Sequence, residues 1–280
     1  ASSQGEGAVS WLYYAFRLMQ FPIGVFGVAI STANLTRVSR EAAAGDMESV
    51  RKSVRDALRM VIVLTLPASV GLAVLGAPIV AVIYEHGRFH AQDTYQTSLA
   101  LAGYSLGLCA YSAVRVMVPV LYSLGKSKAA VWSSGLGMVL NVVLCLSLVR
   151  LLGFVGLALA MSLAAILNAA VLLYLLQVHL KQIEFKNLGS CLIRALGAAL
   201  FMAIFVYVFL AFLDARPFRP IPLTGVWDKA NFAMQVVYLG VALFLGVATF
   251  GIAGKLLGLQ ELERVQELLW KRLRIRKGQA

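Results

Sequence analysis

Apolar residues fall along this chain in runs of about twenty or more, separated by short polar or basic breaks. About twenty apolar residues at 1.5 Å each match the roughly 30 Å hydrocarbon core of a bilayer, and soluble chains do not repeat such runs. Seven spans are predicted, near 10–36, 60–84, 95–122, 129–149, 153–178, 189–213 and 231–254. Two amphipathic stretches flank them. Met47, Val50, Val54, Ala57, Leu58 and Val61 recur at helical spacing with Glu48, Arg51, Lys52, Arg55 and Asp56 on other faces, behind Asp46 as N-cap. Leu262, Val265, Leu269 and Leu273 form a second stripe ahead of the polybasic Lys271–Lys277 end. The expected fold class is all-α: a polytopic membrane helical bundle of about seven transmembrane helices plus interfacial amphipathic helices. Three parts are expected. Residues 1–180 form a five-span bundle with an interfacial helix near 46–59, 181–254 hold the last two spans, and 255–280 form a basic cytoplasmic tail.

The first span carries an arginine well inside it. A guanidinium at membrane depth is costly and faces protein, a water-filled cavity or a ligand. At 3.6 residues per turn, Tyr13, Tyr14, Gln20, Gly24 and Ser31 share about a third of the circumference with Arg17. Phe16, Leu18, Met19, Ile23, Phe26 and Ile30 lie on the remainder. Pro22 removes a backbone donor and is expected to kink the helix.

Composition agrees with the pattern. Hydrophobic residues make up 60% of the chain and charged residues only 14%, which excludes a soluble globular protein. The net charge of +12 comes with a strong positional bias. The segments after odd-numbered spans hold 17 of the 25 Lys and Arg. The N-terminus and the segments after even-numbered spans hold 5. Basic segments mark the cytoplasmic side, so the N-terminus is expected outside and the C-terminus in the cytoplasm. The charge is thus a topology signal with anionic lipid headgroups as its partner, and no nucleic acid is expected. The chain opens Ala1-Ser2-Ser3-Gln4-Gly5-Glu6-Gly7 with neither Met nor a signal-peptide pattern. An odd number of spans entering from outside points to the C-terminal piece of a longer transporter-like protein.

Arg115, in the third span, is the second deep charge. Lys126 follows eleven residues later, about 16 Å along a helix, which sets Arg115 near the bilayer midplane. Arg194 lies near the cytoplasmic interface, where it snorkels. Gly103 and Gly107 make a G-x-x-x-G packing notch, and Ser133, Ser134, Asn141, Ser162 and Asn168 read as interhelical glue. Pro67 and Pro78 mark bends in the second span, and Pro217, Pro220 and Pro222 keep the loop 214–230 extended. Cys109, Cys145 and Cys191 sit singly in three spans, as small core residues. His86 and His90 lie four apart in a short loop without a third ligand, so no metal is expected. Nor is a cofactor expected: the chain has no Walker loop, dinucleotide fingerprint, H-E-x-x-H or G-x-S-x-G. The deep charges are both basic, without an acid or nucleophile, and this argues for a transporter rather than an enzyme.

The run Tyr13-Tyr14-Ala15-Phe16-Arg17-Leu18-Met19-Gln20-Phe21-Pro22-Ile23-Gly24-Val25-Phe26-Gly27-Val28-Ala29 resembles the eighth of fourteen spans in the MurJ (MviN) family of bacterial lipid II flippases. That family belongs to the multidrug/oligosaccharidyl-lipid/polysaccharide exporter superfamily. Gly87-Arg88-Phe89 resembles the family's external loop. Tyr104, Gly107, Arg115 and Tyr122 resemble its tenth span, and Gly156-Leu157-Ala158, Ser162 and Asn168 its twelfth. The resemblance runs over most of 8–180. It implies spans eight to fourteen of a flippase of the bacterial cytoplasmic membrane, with the N-terminal half of the same protein as partner. The activity implied is transfer of lipid II, undecaprenyl-pyrophosphoryl disaccharide-pentapeptide, from the inner to the outer leaflet by alternating access. It also implies a pyrophosphate-binding role for Arg17 in a cationic cavity, Arg115 as a possible second ligand, Tyr13, Tyr14, Gln20 and Gly24 on the cavity face, and a polyprenyl-tail groove near 189–254. A guanidinium suits a pyrophosphate because it stays charged and offers a planar fork of donors. One position departs: the family commonly has Asp where this chain has Phe16. The competing readings are an exporter of another polyprenyl-linked saccharide or of a drug, and a non-transporting membrane scaffold.

Overall fold

In the computed structural model the first apolar run is one rod in three parts: α1 (Ala8–Pro22), a π-helical segment (Ile23–Val28) and α2 (Ala29–Ala43). The structure describes residues 7–180, 185–214, 232–259 and 261–262, except the side chains of 185, 186, 213 and 214. Pro22 has no N–H to give back along the helix, and the residues after it take the wider i→i+5 pattern. The expected kink is therefore a wide turn. Gly27 sits on its inner side, where a Cβ would lie 3.1 Å from the Ser112 hydroxyl.

The chain continues through α3 (Met47–Val74), α4 (Gly76–Tyr84), α5 (Ala91–Ser105), α6 (Leu108–Ser123), α7 (Ser127–Leu180), α8 (Phe185–Asp214) and α9 (Phe232–Leu256). Every element among the described residues is helical. Asp46 caps α3 as its position suggests: Oδ1 accepts the Ser49 N–H at 3.0 Å. That bond holds the Asp46 carboxyl below its ordinary pKa. The amphipathic stretch near 46–59 is the opening of this helix. Val50 and Val54 are fully buried against neighbouring helices, so the apolar face packs on protein. The second span breaks at Leu75, just ahead of Pro78, while Pro67 stays inside α3. Pro78 falls in the first turn of α4, where no intrahelical partner is lost.

α7 is 54 residues long, about 80 Å if straight and more than twice what a bilayer needs. Gly153 breaks it with φ 60° and ψ −141°, a conformation that side chains with a Cβ avoid. The two arms fold back on each other. Ser133 Oγ donates to Asn168 Oδ1 at 2.7 Å across the arms, and a Cβ on Gly156 would land on the Leu148 carbonyl. The expected Ser and Asn glue is thus found at this pair. Among the described residues five helices are individually long and apolar enough to span, and α5–α6, bent by 44°, make a sixth. With the α7 arms counted separately, the described residues hold up to seven such segments.

Two cores hold the bundle. Val54, Leu58, Val61, Met117, Leu121, Leu172 and Leu176 join α3, α6 and α7, and Ala195, Ala198 and Ala199 bring in α8. Leu12, Ala15, Met19, Leu101, Tyr104 and Leu108 join α1 to α5 and α6. In lipid such contacts depend on close packing of small residues. The G-x-x-x-G notch supplies one: Ser162 Oγ donates to the Gly103 carbonyl at 2.7 Å, and a Cβ on Gly107 would lie 2.7 Å from Ser162 Cα.

Where the last spans rejoin the bundle, Arg59 on α3 pairs with buried Glu261 at 2.6 Å. Sequence inspection assigned neither residue a role. Removing one member of a buried pair leaves the other charge uncompensated. Glu261→Ala is expected to destabilise the protein by about 2–3 kcal/mol, at or below the low end of the usual range of about 3–5 kcal/mol for a buried pair because Arg59 is not fully buried. Thermal unfolding in detergent reads this. Arg59→Leu combined with Glu261→Leu should recover most of the loss, since an apolar pair of similar volume needs no compensation. The tail beyond Leu262 and the proline loop 217–222 lie outside the described residues.

Candidate functional site

Arg17 stands on the exposed side of α1. Opposite it on the helix, Leu12, Ala15 and Met19 are buried against α5, and Trp11 Nε1 donates to Asp93 Oδ1 at 2.8 Å. These contacts fix the rotation of α1 and so the direction of Arg17. Asp93 is itself held by the His90 N–H at 2.9 Å, in a reciprocal cap at the start of α5. His90 thereby has a structural task.

The guanidinium carbon lies 4.8 Å from the centre of the Tyr13 ring. Tyr13 meets Tyr14 edge-on at 6.0 Å, and Tyr14 packs on Tyr84 at 4.7 Å and Phe89 at 5.5 Å. Four rings therefore run from the 84–89 turn to Arg17. Gln20 is half-buried, and Gly24 is exposed with nothing within 4 Å of where a Cβ would project. Phe16 turns away and meets Tyr104 edge-on at 5.8 Å. Among the described residues no carboxylate lies within ion-pair distance of Arg17 or Arg115.

Arg115 is exposed on α6, and its carbonyl accepts the Ser31 hydroxyl at 2.6 Å. Ser31 follows Arg17 by fourteen residues, about 20 Å along the rod. Tyr13, Tyr14 and Arg17 are thus brought together, Gln20 and Gly24 follow on the same rod, and Arg115 stands on a separate level. The sequence reading missed Tyr84 and placed Phe89 only in a loop motif, because their contact with Tyr14 closes over seventy residues of chain. The orphaned buried hydroxyl of Ser112, facing the wide turn, carried no sequence signal either.

The apolar spans among the described residues, the first of them widened after a proline and presenting a guanidinium without an ion-pair partner there, define a polytopic membrane protein. The backbone is similar to a solved multidrug MATE transporter in its outward-facing form (TM-score 0.58, 17% identity, covering 94% of this chain and 59% of that one), a likeness of fold alone. It is similar at TM-score 0.70 and 25% identity to lipid II flippase MurJ in an inward closed conformation, over 90% of this chain and 47% of that one. The family model of lipid II flippase MurJ matches residues 1–218, and the chain belongs to that family. A probable lipid II flippase MurJ of Haemophilus influenzae is 30% identical over 269 residues, 93% of this chain and 50% of the relative. One from Vibrio cholerae is 38% identical over 172 residues, 61% of this chain and 33% of the relative. The chain spans about half the length, or less, of the curated relatives it matches.

Proposed function

We propose that this chain forms part of a lipid II flippase of the bacterial cytoplasmic membrane, moving the undecaprenyl-pyrophosphate-linked precursor from the inner to the outer leaflet by alternating access. The observation that carries the reading is Arg17: an exposed guanidinium inside a span, its carbon 4.8 Å from a ring centre, with no anion beside it among the described residues. Its planar donors match two phosphates in a row. The cavity needs further walls, which an N-terminal half of the same protein would supply. Arg115, about 20 Å along the rod, would meet the pyrophosphate at a different stage of its passage, in succession with Arg17 rather than together with it.

The bias of the basic segments supports a start of α1 outside and a C-terminus in the cytoplasm, with anionic headgroups against those segments. The polyprenyl tail would lie along α8 and α9. Gly246 fits against Met202 and Val206 between these helices, while Ile204, Phe244 and Val247 face outward.

The test is reconstitution of the full-length protein in proteoliposomes with fluorescent lipid II. Accelerated exposure of lipid II on the far leaflet is the expected result. Transport of a polyprenyl-linked O-antigen unit or of a cationic drug, without transport of lipid II, would overturn it. That outcome would favour an exporter of another cargo.

A further inference from the structure

Phe16 stands where an acid is common in the family, yet Phe16 is not where Arg17 would find its partner. It points into the apolar cluster beside buried Tyr104. The group that meets the guanidinium is Tyr13, one helical turn earlier, with Arg17 Cζ 4.8 Å from its ring centre. We propose that Tyr13 is a positioning residue of this site: it holds Arg17 by its flat face and leaves the in-plane N–H donors open to a pyrophosphate. The inference rests on the reading of Arg17 as the pyrophosphate ligand.

The two ways of compensating a guanidinium differ in what they occupy. A carboxylate takes the N–H fork itself, in two parallel hydrogen bonds, and a phosphate must displace it. A ring attracts the cation through its π face and leaves every donor available. Tyr13 offsets part of the cost of a cation at membrane depth without competing for the ligand. Its ring is itself fixed, edge-on to Tyr14, which is clasped between Tyr84 and Phe89. The 84–89 turn thereby sets the direction in which Arg17 is presented.

Three variants of the full-length protein test this, each assayed for transport in proteoliposomes against lipid II concentration. Tyr13→Phe keeps the ring and should keep the half-saturating concentration. Tyr13→Leu removes it and should raise that concentration about three- to thirty-fold, the worth of a partly desolvated cation–π contact. Tyr13→Glu gives Arg17 a carboxylate at i−4 and should impair transport at least as much as Leu, with the thermal unfolding midpoint preserved. A merely structural role predicts the opposite for Glu, because any compensating partner would serve. Wild-type half-saturation in Tyr13→Glu or in Tyr13→Leu overturns the proposal. If Tyr13→Leu does not fold, the comparison of Phe with Glu decides alone. Arg17→Ala separates the two layers. If it transports normally, the pyrophosphate role of Arg17 is wrong. If it fails while Tyr13→Leu behaves as wild type, only the positioning role is wrong.

Discussion

Arg17→Ala in the full-length protein is expected to lower lipid II transport by at least about 100-fold and to fail to support growth of a flippase-depleted strain. Two charge-assisted hydrogen bonds from one guanidinium are worth about 3–6 kcal/mol together, and each 1.4 kcal/mol is tenfold. The substitution should leave the fold intact. Arg17 makes no ion pair among the described residues, lies on the exposed side of α1 and has its guanidinium carbon 4.8 Å from the centre of the Tyr13 ring. Removing it also removes a desolvation cost. Arg17→Lys keeps the charge but not the planar fork, and should fall between, roughly tenfold down. Normal growth with Arg17→Ala at wild-type abundance would remove this residue from the mechanism.

The largest effect on stability is expected at Gly156. The α7 arms turn at Gly153, and three residues later a Cβ would occupy the space of the Leu148 carbonyl. Both sides of that contact are backbone, so no side chain can swing away to relieve it. Gly156→Ala should cost about 3 kcal/mol or more, the upper end for overpacking. It should also pull apart the Ser133–Asn168 bond across the arms. Gly135, in the first arm, is the control, because nothing lies within 4 Å of where its Cβ would project. Gly135→Ala should be neutral or slightly stabilising, since alanine favours the helix by up to about 1 kcal/mol. Unfolding midpoints of both variants in the same detergent check the contrast. Equal midpoints would show that the hairpin does not close as tightly as the backbone indicates.

These two residues differ in how far they can be read from the sequence. Arg17 is legible because a charge in a twenty-residue apolar run violates the local rule, and helical periodicity alone groups Tyr13, Tyr14, Gln20 and Gly24 around it. Asp46 as cap and the Gly103–Gly107 notch are legible for similar reasons, each a short-range rule with a known geometry; Ser133 and Asn168 read as interhelical residues, but only the hairpin pairs them. Gly156 is not. A glycine in an apolar run carries no sign of what passes over it, and its contact depends on the opposing arm of the hairpin. The break at Leu75 and the wide turn after Pro22 lie between. Proline announces that a hydrogen bond is lost, but only the packing on Ser112 determines how the helix responds.

The sequence by itself determined that this protein is an all-helical membrane bundle of several spans, how its basic residues are distributed between the connecting segments, and which cation on the first span is exceptional. Hydropathy, charge bias and period 3.6 are local quantities, and a linear string carries them in full. The tertiary structure decided what surrounds that cation. It turned Phe16 into an apolar cluster, set Tyr13 against Arg17 through rings from the 84–89 turn, and placed Arg115 about 20 Å further along the rod. It also tied the last spans to α3 through Arg59 and Glu261, 202 positions apart. Contacts of that range depend on how helices cross and turn against one another. No periodicity within a single helix records it.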